Sequence, residues 1–253
     1  MKFIQLLLLF IGLDLFGDYP NFSDNPYLSK EMKKEIFPYL LPLDHPVKET
    51  LDQIFKNLTV IESKQSLLDA GFLLITRQKK SSIFVVKHPL APGFVFKLYC
   101  NSHPAGRNDM EGWECLSLRC KNARKVKKII ETHHMLYFTV PDKWLYVLPP
   151  FPKKLAKQSQ FLVLVATDMK IRSPKDTKFA WKNRITHRHL DELYLILSEG
   201  YGSSYLLNNI PFTEENTFTL IDLEKPKREI PLERIEKYFS YDMGIYWKTL
   251  SNN

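Results

Sequence analysis

The chain has 253 residues, enough for one large domain or two small ones, and its 44% hydrophobic and 13% aromatic content excludes a largely disordered protein. A formal net charge of +8 favours an anionic partner such as nucleotide phosphate, nucleic acid, lipid head groups or an acidic protein, and an ordinary lysine excess accounts for it equally well. Three cysteines, Cys100, Cys115 and Cys120, are too few and too poorly spaced for a zinc site or a disulfide scaffold, and pairing two of them leaves an odd thiol.

The N-terminus has the pattern of a secretory signal peptide. A positive start at Lys2 precedes an apolar run over residues 3–13, which is too short to span a bilayer, and Gly17 offers a small residue before a cleavage point. Asp14 interrupts the pattern and no Ala-x-Ala site follows, so an uncleaved apolar helix packed on the domain is the alternative. The pattern predicts a signal peptide over residues 1–17 and a secreted or periplasmic protein, or a cytoplasmic one if the segment is retained.

An irregular extension over residues 18–66 comes next, with short helices predicted around residues 30–37 and 47–57 between prolines. Three apolar, β-rich runs then cover residues 71–77, 83–87 and 93–99 and predict an antiparallel meander. The third run carries Lys97. Plain alternation of apolar and polar residues turns this lysine outward, whereas a buried lysine would need an anionic partner.

Residues 110–132 form the clearest predicted helix, because apolar residues recur there at helical spacing. Two acids, Glu111 and Glu114, lie in its first turn, where the helix dipole favours them. Its outer face is predicted to carry six cations: Arg119, Lys121, Arg124, Lys125, Lys127 and Lys128. That face is either a docking surface for nucleic acid or membrane, or simply a solvated helix face, and the second interpretation is preferred.

Strands are predicted over residues 143–148 and 161–165, and a helix over 184–199. A β-hairpin is then predicted from apolar residues 210–212 and 218–221 around the polar turn 214–216, with one further helix over about 232–250. The hairpin places Asn209 and Asp222 at its open end. Amide and carboxylate oxygens are ligands that Mg²⁺ prefers, and Mg²⁺ usually accompanies phosphate.

This order of elements resembles the protein kinase-like superfamily. In that family a third-strand lysine holds the nucleotide phosphates and pairs with a glutamate of the next helix, while a loop asparagine and a motif aspartate hold Mg²⁺. The resemblance, which covers about residues 67–224, implies that Lys97 and Glu114 (or Glu111) bind nucleotide and that Asn209 and Asp222 bind metal. The last two lie thirteen residues apart, as is common in the family. ATP and Mg²⁺ are therefore the implied cofactors.

The sequence departs from the family at several points. Ser204 stands where the general-base aspartate is expected, and a serine hydroxyl stays protonated without a helper. The segment 77–82 contains no glycine, and Leu-Glu follows Asp222 in place of Phe-Gly. Residues 187–191 look like a His-Arg-Asp loop but fall inside a predicted helix.

The expected fold is therefore α+β and kinase-like with two lobes. Residues 67–168 are predicted to form an N-terminal five-stranded antiparallel sheet with one helix, and residues 169–253 a small, mainly helical C-terminal lobe.

Three functional hypotheses follow. The first is a catalytically impaired pseudokinase that binds nucleotide or a protein partner, and the second is an active atypical or small-molecule kinase with Asp191 or Glu224 as its base. The third is an exported basic protein that binds anionic surfaces or nucleic acid, although nucleic acid is the less expected partner. No P-loop, Gly-x-Ser-x-Gly or His-Glu-x-x-His motif is present to support another enzyme class.

Overall fold

A computed structural model describes residues 19, 21–75, 83–100, 110–150, 161–223, 225 and 229–251. The predicted signal peptide over 1–17, the whole of segment 77–82 and Glu224 lie outside these residues. The chain folds as two compact units. Unit 1 is drawn from Met1–Ser117 and Trp144–Val165, and unit 2 from Leu118–Lys143 and Ala166–Asn253.

A five-stranded sheet is the centre of unit 1, as predicted. Its order is β1–β2–β3–β6–β5, with the bounds β1 Leu73–Leu74, β2 Ile83–Lys87, β3 Phe94–Tyr99, β5 Lys143–Val147 and β6 Leu162–Thr167. The first three strands form the predicted antiparallel meander, with Val85 opposite Lys97. Gly93 precedes β3 with a φ of 84°, a conformation that a side chain would strain.

Three short helices of unit 1 precede the sheet: α1 Lys30–Ile36, α2 Lys48–Ile54 and α3 Lys64–Asp69. The first two were predicted, but α3 was not, although Ser63 is a good N-cap and its hydroxyl accepts the Ser66 N–H at 3.1 Å. The phenol of Tyr146 in β5 donates to the carboxylate of Asp52, which also pairs with Lys48 at 2.6 Å. The core of unit 1 joins helices and sheet and includes Leu51, Phe55, Phe72 and Phe96.

Unit 2 is mainly helical. Its elements are most of α4 (Gly112–Thr132), then α5 Pro174–Asn183, α6 His187–Ser198, α7 Leu206–Asn209 and α8 Tyr241–Ser251, with β4 Phe138–Thr139 pairing in parallel with β7 Phe218–Thr219. Trp181 stacks on Phe218 with ring centroids 3.9 Å apart and lies in a core that also contains Leu193 and Trp247. No helix in the described part of the chain is long and apolar enough to cross a membrane.

Two helix predictions were wrong in detail. The helix predicted over 184–199 begins only at His187, because Arg184 ends a separate helix, α5. The helix predicted over 232–250 is two short 3₁₀ turns, Leu232–Arg234 and Glu236–Tyr238, followed by α8. Phe239 separates them with extended backbone angles of φ −98° and ψ 166°, which no helix can contain.

Candidate functional site

The predicted hairpin is present, and its backbone brings Asn209 next to the residue before Asp222. The Ile221 N–H donates to the Asn209 carbonyl at 3.0 Å, and the Thr219 N–H donates to the Pro211 carbonyl at 2.9 Å. The turn is closed by the Thr213 N–H, which donates to the Thr217 carbonyl at 2.9 Å. Asn209 is the last residue of α7 and is half-buried.

The carboxylate of Asp222 forms an ion pair with a buried arginine. Arg119 Nη1 lies 2.7 Å from Asp222 Oδ1, and the side chains are 4% and 30% exposed, respectively. The prediction that Arg119 lies on the outer face of α4 was therefore wrong. The residue is on the buried stripe with Leu116 and Cys120, and pairing with a carboxylate offsets the cost of burying its charge. Four other cations of the predicted outer face are exposed: Arg124, Lys125, Lys127 and Lys128.

A second buried cation lies beside this pair. Lys143 opens β5, is 4% exposed, and donates from Nζ to the Ile221 carbonyl at 3.2 Å. Burial, and after it the charge of Arg119, lower the pKa of Lys143 to about 8, although the charge of Asp222 acts in the opposite direction. Lys143 was not among the site residues predicted from the sequence, where the one available signal was a charge at the start of a strand of otherwise apolar residues.

Asn122, one turn after Arg119 on α4, holds the chain beyond Asp222. Its Nδ2 donates to the carbonyls of Leu223 at 2.8 Å and of Lys225 at 2.7 Å. Lys143, Arg119 and Asn122 therefore contact residues 221, 222, 223 and 225 with buried polar side chains. This arrangement fixes the position of the Asp222 carboxylate.

The residues around Asp222 do not fit a divalent cation well. Mg²⁺ is bound in proteins by oxygen ligands that carry negative charge, and here one carboxylate faces two cations, Arg119 and Lys143. Among the described residues no group of three or more histidine, cysteine, aspartate or glutamate side chains is placed to hold a metal. The roles of Asn209 and Asp222 as metal ligands stay a prediction that the local charge opposes.

The predicted nucleotide-binding pair belongs to unit 1. Lys97 is 8% exposed, so its outward orientation, expected from alternation, was wrong: residues 96–99 of β3 are all buried. Glu114 lies at the start of α4, where its Oε2 accepts the Glu111 N–H at 2.8 Å. That contact serves the helix terminus, as an acid in the first turn is expected to do. The nucleotide-binding roles of Lys97 and Glu114 stay predictions.

Ser204 is buried in the loop between α6 and α7 and is 6% exposed. The segment 187–191 belongs to α6, which confirms the prediction that it is helical. Its Asp191 accepts a hydrogen bond from the Tyr246 hydroxyl at 2.6 Å. Within the described chain, the proposed base position therefore holds a buried hydroxyl, and one alternative base is already bound to a phenol.

No protein-family model matches the chain, and no curated protein matches it. A MAP kinase from Leishmania major is among the solved structures that match. It is 13% identical with a TM-score of 0.30, over 70% of this chain and 52% of the kinase. The chain thus spans about half the length of that kinase. A similarity this weak does not establish a shared fold or a shared function. The α+β class and the five-stranded sheet rest on the structure itself, and the two-lobed kinase-like architecture stays a prediction.

Proposed function

We propose that the chain is a degenerate kinase-like domain that does not transfer phosphate and acts by binding a nucleotide or a protein partner. Its lobes would be residues 67–168 and 169–253. The order of strands and helices supports this proposal, together with the strand pairing that brings Asn209 and Asp222 to one end of a hairpin. The active kinase hypothesis is the principal alternative, and the experiment below separates the two.

The observation that carries the proposal is the ion pair between Arg119 and Asp222 at 2.7 Å. Phosphoryl transfer depends on metal ions that bridge the phosphates and neutralise the charge that develops. An aspartate that is paired with a buried guanidinium has little capacity left to bind such an ion. The second cation, Lys143, increases the electrostatic cost of bringing in a metal.

The residue at the base position supports the same conclusion. A serine hydroxyl accepts the proton of an attacking group poorly, because it is itself protonated at physiological pH. Ser204 is buried at 6% exposure, so bulk solvent gives it little help. A domain with this residue and the paired Asp222 retains surfaces for binding but lacks two groups that the chemistry requires.

The direct test is a phosphotransfer assay on the full chain. The protein is incubated with labelled ATP and Mg²⁺ or Mn²⁺, with and without a general acceptor protein, and both ATP hydrolysis and labelling are measured. We expect neither to exceed the buffer background, because Asp222 is paired with Arg119 and Ser204 stands at the base position. A transfer that the wild-type chain performs and Asp222→Asn abolishes would establish the active kinase instead.

Nucleotide binding is tested on the same samples without metal. ATP that binds the folded chain raises its melting temperature, and Lys97→Met is expected to remove that rise, because it removes the cation proposed to hold the phosphates. Lys87→Met is the matched control, since Lys87 is a half-buried lysine of the neighbouring strand β2. If ATP leaves the melting temperature unchanged, nucleotide binding is excluded and the proposed ligand is a protein partner.

A further inference from the structure

We infer that the Arg119 guanidinium is an internal substitute for a divalent cation at Asp222, so that ligand binding in unit 2 requires no Mg²⁺. The anionic class of the ligand rests on the proposed function. The absence of divalent-cation binding at Asp222 does not, and it is tested separately. Its basis is the set of contacts that Arg119, Asn122 and Lys143 make with residues 221–223 and 225.

The position of the guanidinium is fixed by its helix. Arg119 lies on the buried face of α4, between Leu116 and Ala123, each of which is at most 3% exposed. Asn122, from the same face, donates to the carbonyls of Leu223 and Lys225. A side chain held in this way differs from an exposed surface arginine, because it has few alternative positions and little competing water.

The position of the carboxylate is fixed by the chain on both sides. Before Asp222, the Ile221 carbonyl accepts from Lys143 and the Ile221 N–H donates to the Asn209 carbonyl. After it, Asn122 holds the carbonyls of residues 223 and 225. Asp222 therefore meets Arg119 at 2.7 Å as part of a framework of buried contacts.

The charges around Asp222 favour an anionic ligand over a divalent cation. Arg119 and Lys143 carry two positive charges when protonated and Asp222 carries one negative charge, so the three groups have a net charge of about +1. A divalent cation brought to Asp222 would raise that sum and would be repelled by a guanidinium that is already in contact. An anionic ligand is attracted by this net positive charge, so no metal ion is needed between the ligand and Asp222.

A purely structural ion pair makes a different prediction from a cation substitute. If Arg119 only ties α4 to the hairpin, its neutral replacement weakens the fold and creates no new affinity. If Arg119 occupies the place of a metal, the same replacement frees the Asp222 carboxylate, which can then coordinate a divalent ion.

The test is a Mn²⁺ titration of the full chain, with free Mn²⁺ measured by electron paramagnetic resonance. The wild type is expected to show no Mn²⁺ binding that Asp222→Asn removes. Arg119→Gln is expected to bind Mn²⁺ on the order of tenfold or more tightly than the wild type, and the double variant Arg119→Gln with Asp222→Asn is expected to lose that gain. Arg119→Lys keeps a positive charge and should continue to exclude the ion.

Lys127→Gln is the matched control for loss of a cation from α4. Lys127 pairs with Asp142 at 2.6 Å on the surface and does not contact Asp222 in any described hydrogen bond or ion pair. Its replacement should leave the Mn²⁺ titration unchanged. Circular dichroism of each variant establishes that it is folded.

Two results would overturn the inference. One is Mn²⁺ binding by the wild type that Asp222→Asn abolishes, and the other is a folded Arg119→Gln that gains no affinity. If Arg119→Gln does not fold, the comparison of wild type with Asp222→Asn decides the question: Asp222-dependent binding contradicts the inference, and its absence supports it. Phosphate transfer is measured separately, so a failure here leaves the proposed lack of catalysis intact.

Discussion

His189 couples the stability of unit 2 to pH. The residue is 7% exposed, and its ring stacks on Tyr137 with centroids 3.7 Å apart and accepts the Thr186 N–H at Nδ1 over 3.2 Å. Burial lowers the pKa of His189 to about 4, because the charged imidazolium loses its hydration. The unfolded chain, with an ordinary histidine pKa of about 6.5, therefore binds a proton before the folded chain does.

We expect the free energy of unfolding to fall as the pH drops from about 6.5 towards 4, with a contribution from His189 of up to about 3 kcal/mol. Below its folded pKa the effect is complete. His189→Gln should remove this part of the pH dependence, because glutamine has no titrating group and keeps the Thr-x-x-Gln capping pattern. Urea unfolding at a series of pH values measures the difference between the two proteins.

His187 provides the control for that experiment. It lies two residues earlier, is exposed, and stacks on Tyr246 with centroids 4.0 Å apart. His187→Gln should leave the acid part of the stability curve close to that of the wild type. Parallel curves for wild type and His189→Gln would contradict the assignment.

The contrast between Asp222 and Arg119 shows what the sequence could reveal about single residues. Asp222 was identified because it ends an apolar run after a polar turn, which is a local pattern. Its partner lies 103 positions earlier, on a helix whose stripe of buried residues is interrupted by this one cation. Only the packing of that helix against the hairpin decides whether Arg119 faces water or the carboxylate, so no local pattern could predict the pair.

At the scale of elements, the N-terminus of α5 contains a specific capping interaction. Ser173 accepts the Asp176 N–H at 3.1 Å, and Pro174 takes the first helical position, where its missing N–H is no disadvantage. The helix was not predicted, although a serine, a proline and an acid in that order are a good sign of a helix start.

Ser173→Ala is expected to lower the free energy of unfolding by about 1 kcal/mol, equivalent to a fall of roughly 2–4 °C in melting temperature. Calorimetry measures the change. Ser198→Ala is a suitable comparison, because the Ser198 hydroxyl is exposed at the last residue of α6 and bonds only within its own helix among the described contacts. Equal melting temperatures for Ser173→Ala and Ser198→Ala would contradict a stabilising cap.

The strands were easier to predict than the short helices. Runs such as residues 83–87 and 93–99 are rich in β-branched and aromatic residues and are bounded by turn residues. The composition of each run and the residues at its ends therefore predict the same strand. By contrast, two elements that were not predicted are very short, since α3 has six residues and the strand β4 has two. Elements of that length contain too little periodicity to be recognised, and tertiary contacts determine where they form.

At the scale of the whole molecule, the cysteines bear on the redox state. All three side chains are buried, with Cys100 and Cys120 fully inaccessible. Burial raises the pKa of each of these two thiols to about 12, so the reactive thiolate is scarce at neutral pH. Export, if it occurs, would place the chain in an oxidising compartment, and this burial would protect the thiols there.

The native chain is therefore expected to react with a disulfide reagent at less than one thiol per molecule, and at three after unfolding in denaturant. Absorbance of the released chromophore gives the count directly. Rapid labelling of one or more thiols in the folded chain would show that the burial is incomplete. A count of one after unfolding would show that two cysteines had paired.

The α+β fold class could be predicted from the sequence because it depends on residue patterns that extend over many positions. Five β-rich runs predicted the five-stranded sheet of unit 1, and helical spacing predicted α4 and α6. The candidate site was accessible only in part, since its acidic half lies on one local hairpin while Arg119, Asn122 and Lys143 come from distant segments. Which side chains surround a predicted ligand position is a property of the assembled fold.

The pair of Arg119 and Asp222 also provides a rule of coupled substitution for relatives of this chain. Losing either member alone leaves a poorly solvated charge without its counterion, which is strongly destabilising for buried pairs. The two positions should therefore change together. A relative that keeps a carboxylate at position 222 but has a neutral residue at position 119 needs another cation to neutralise that carboxylate. We expect this cation to be a metal ion, so the two positions in a relative's sequence would predict metal binding.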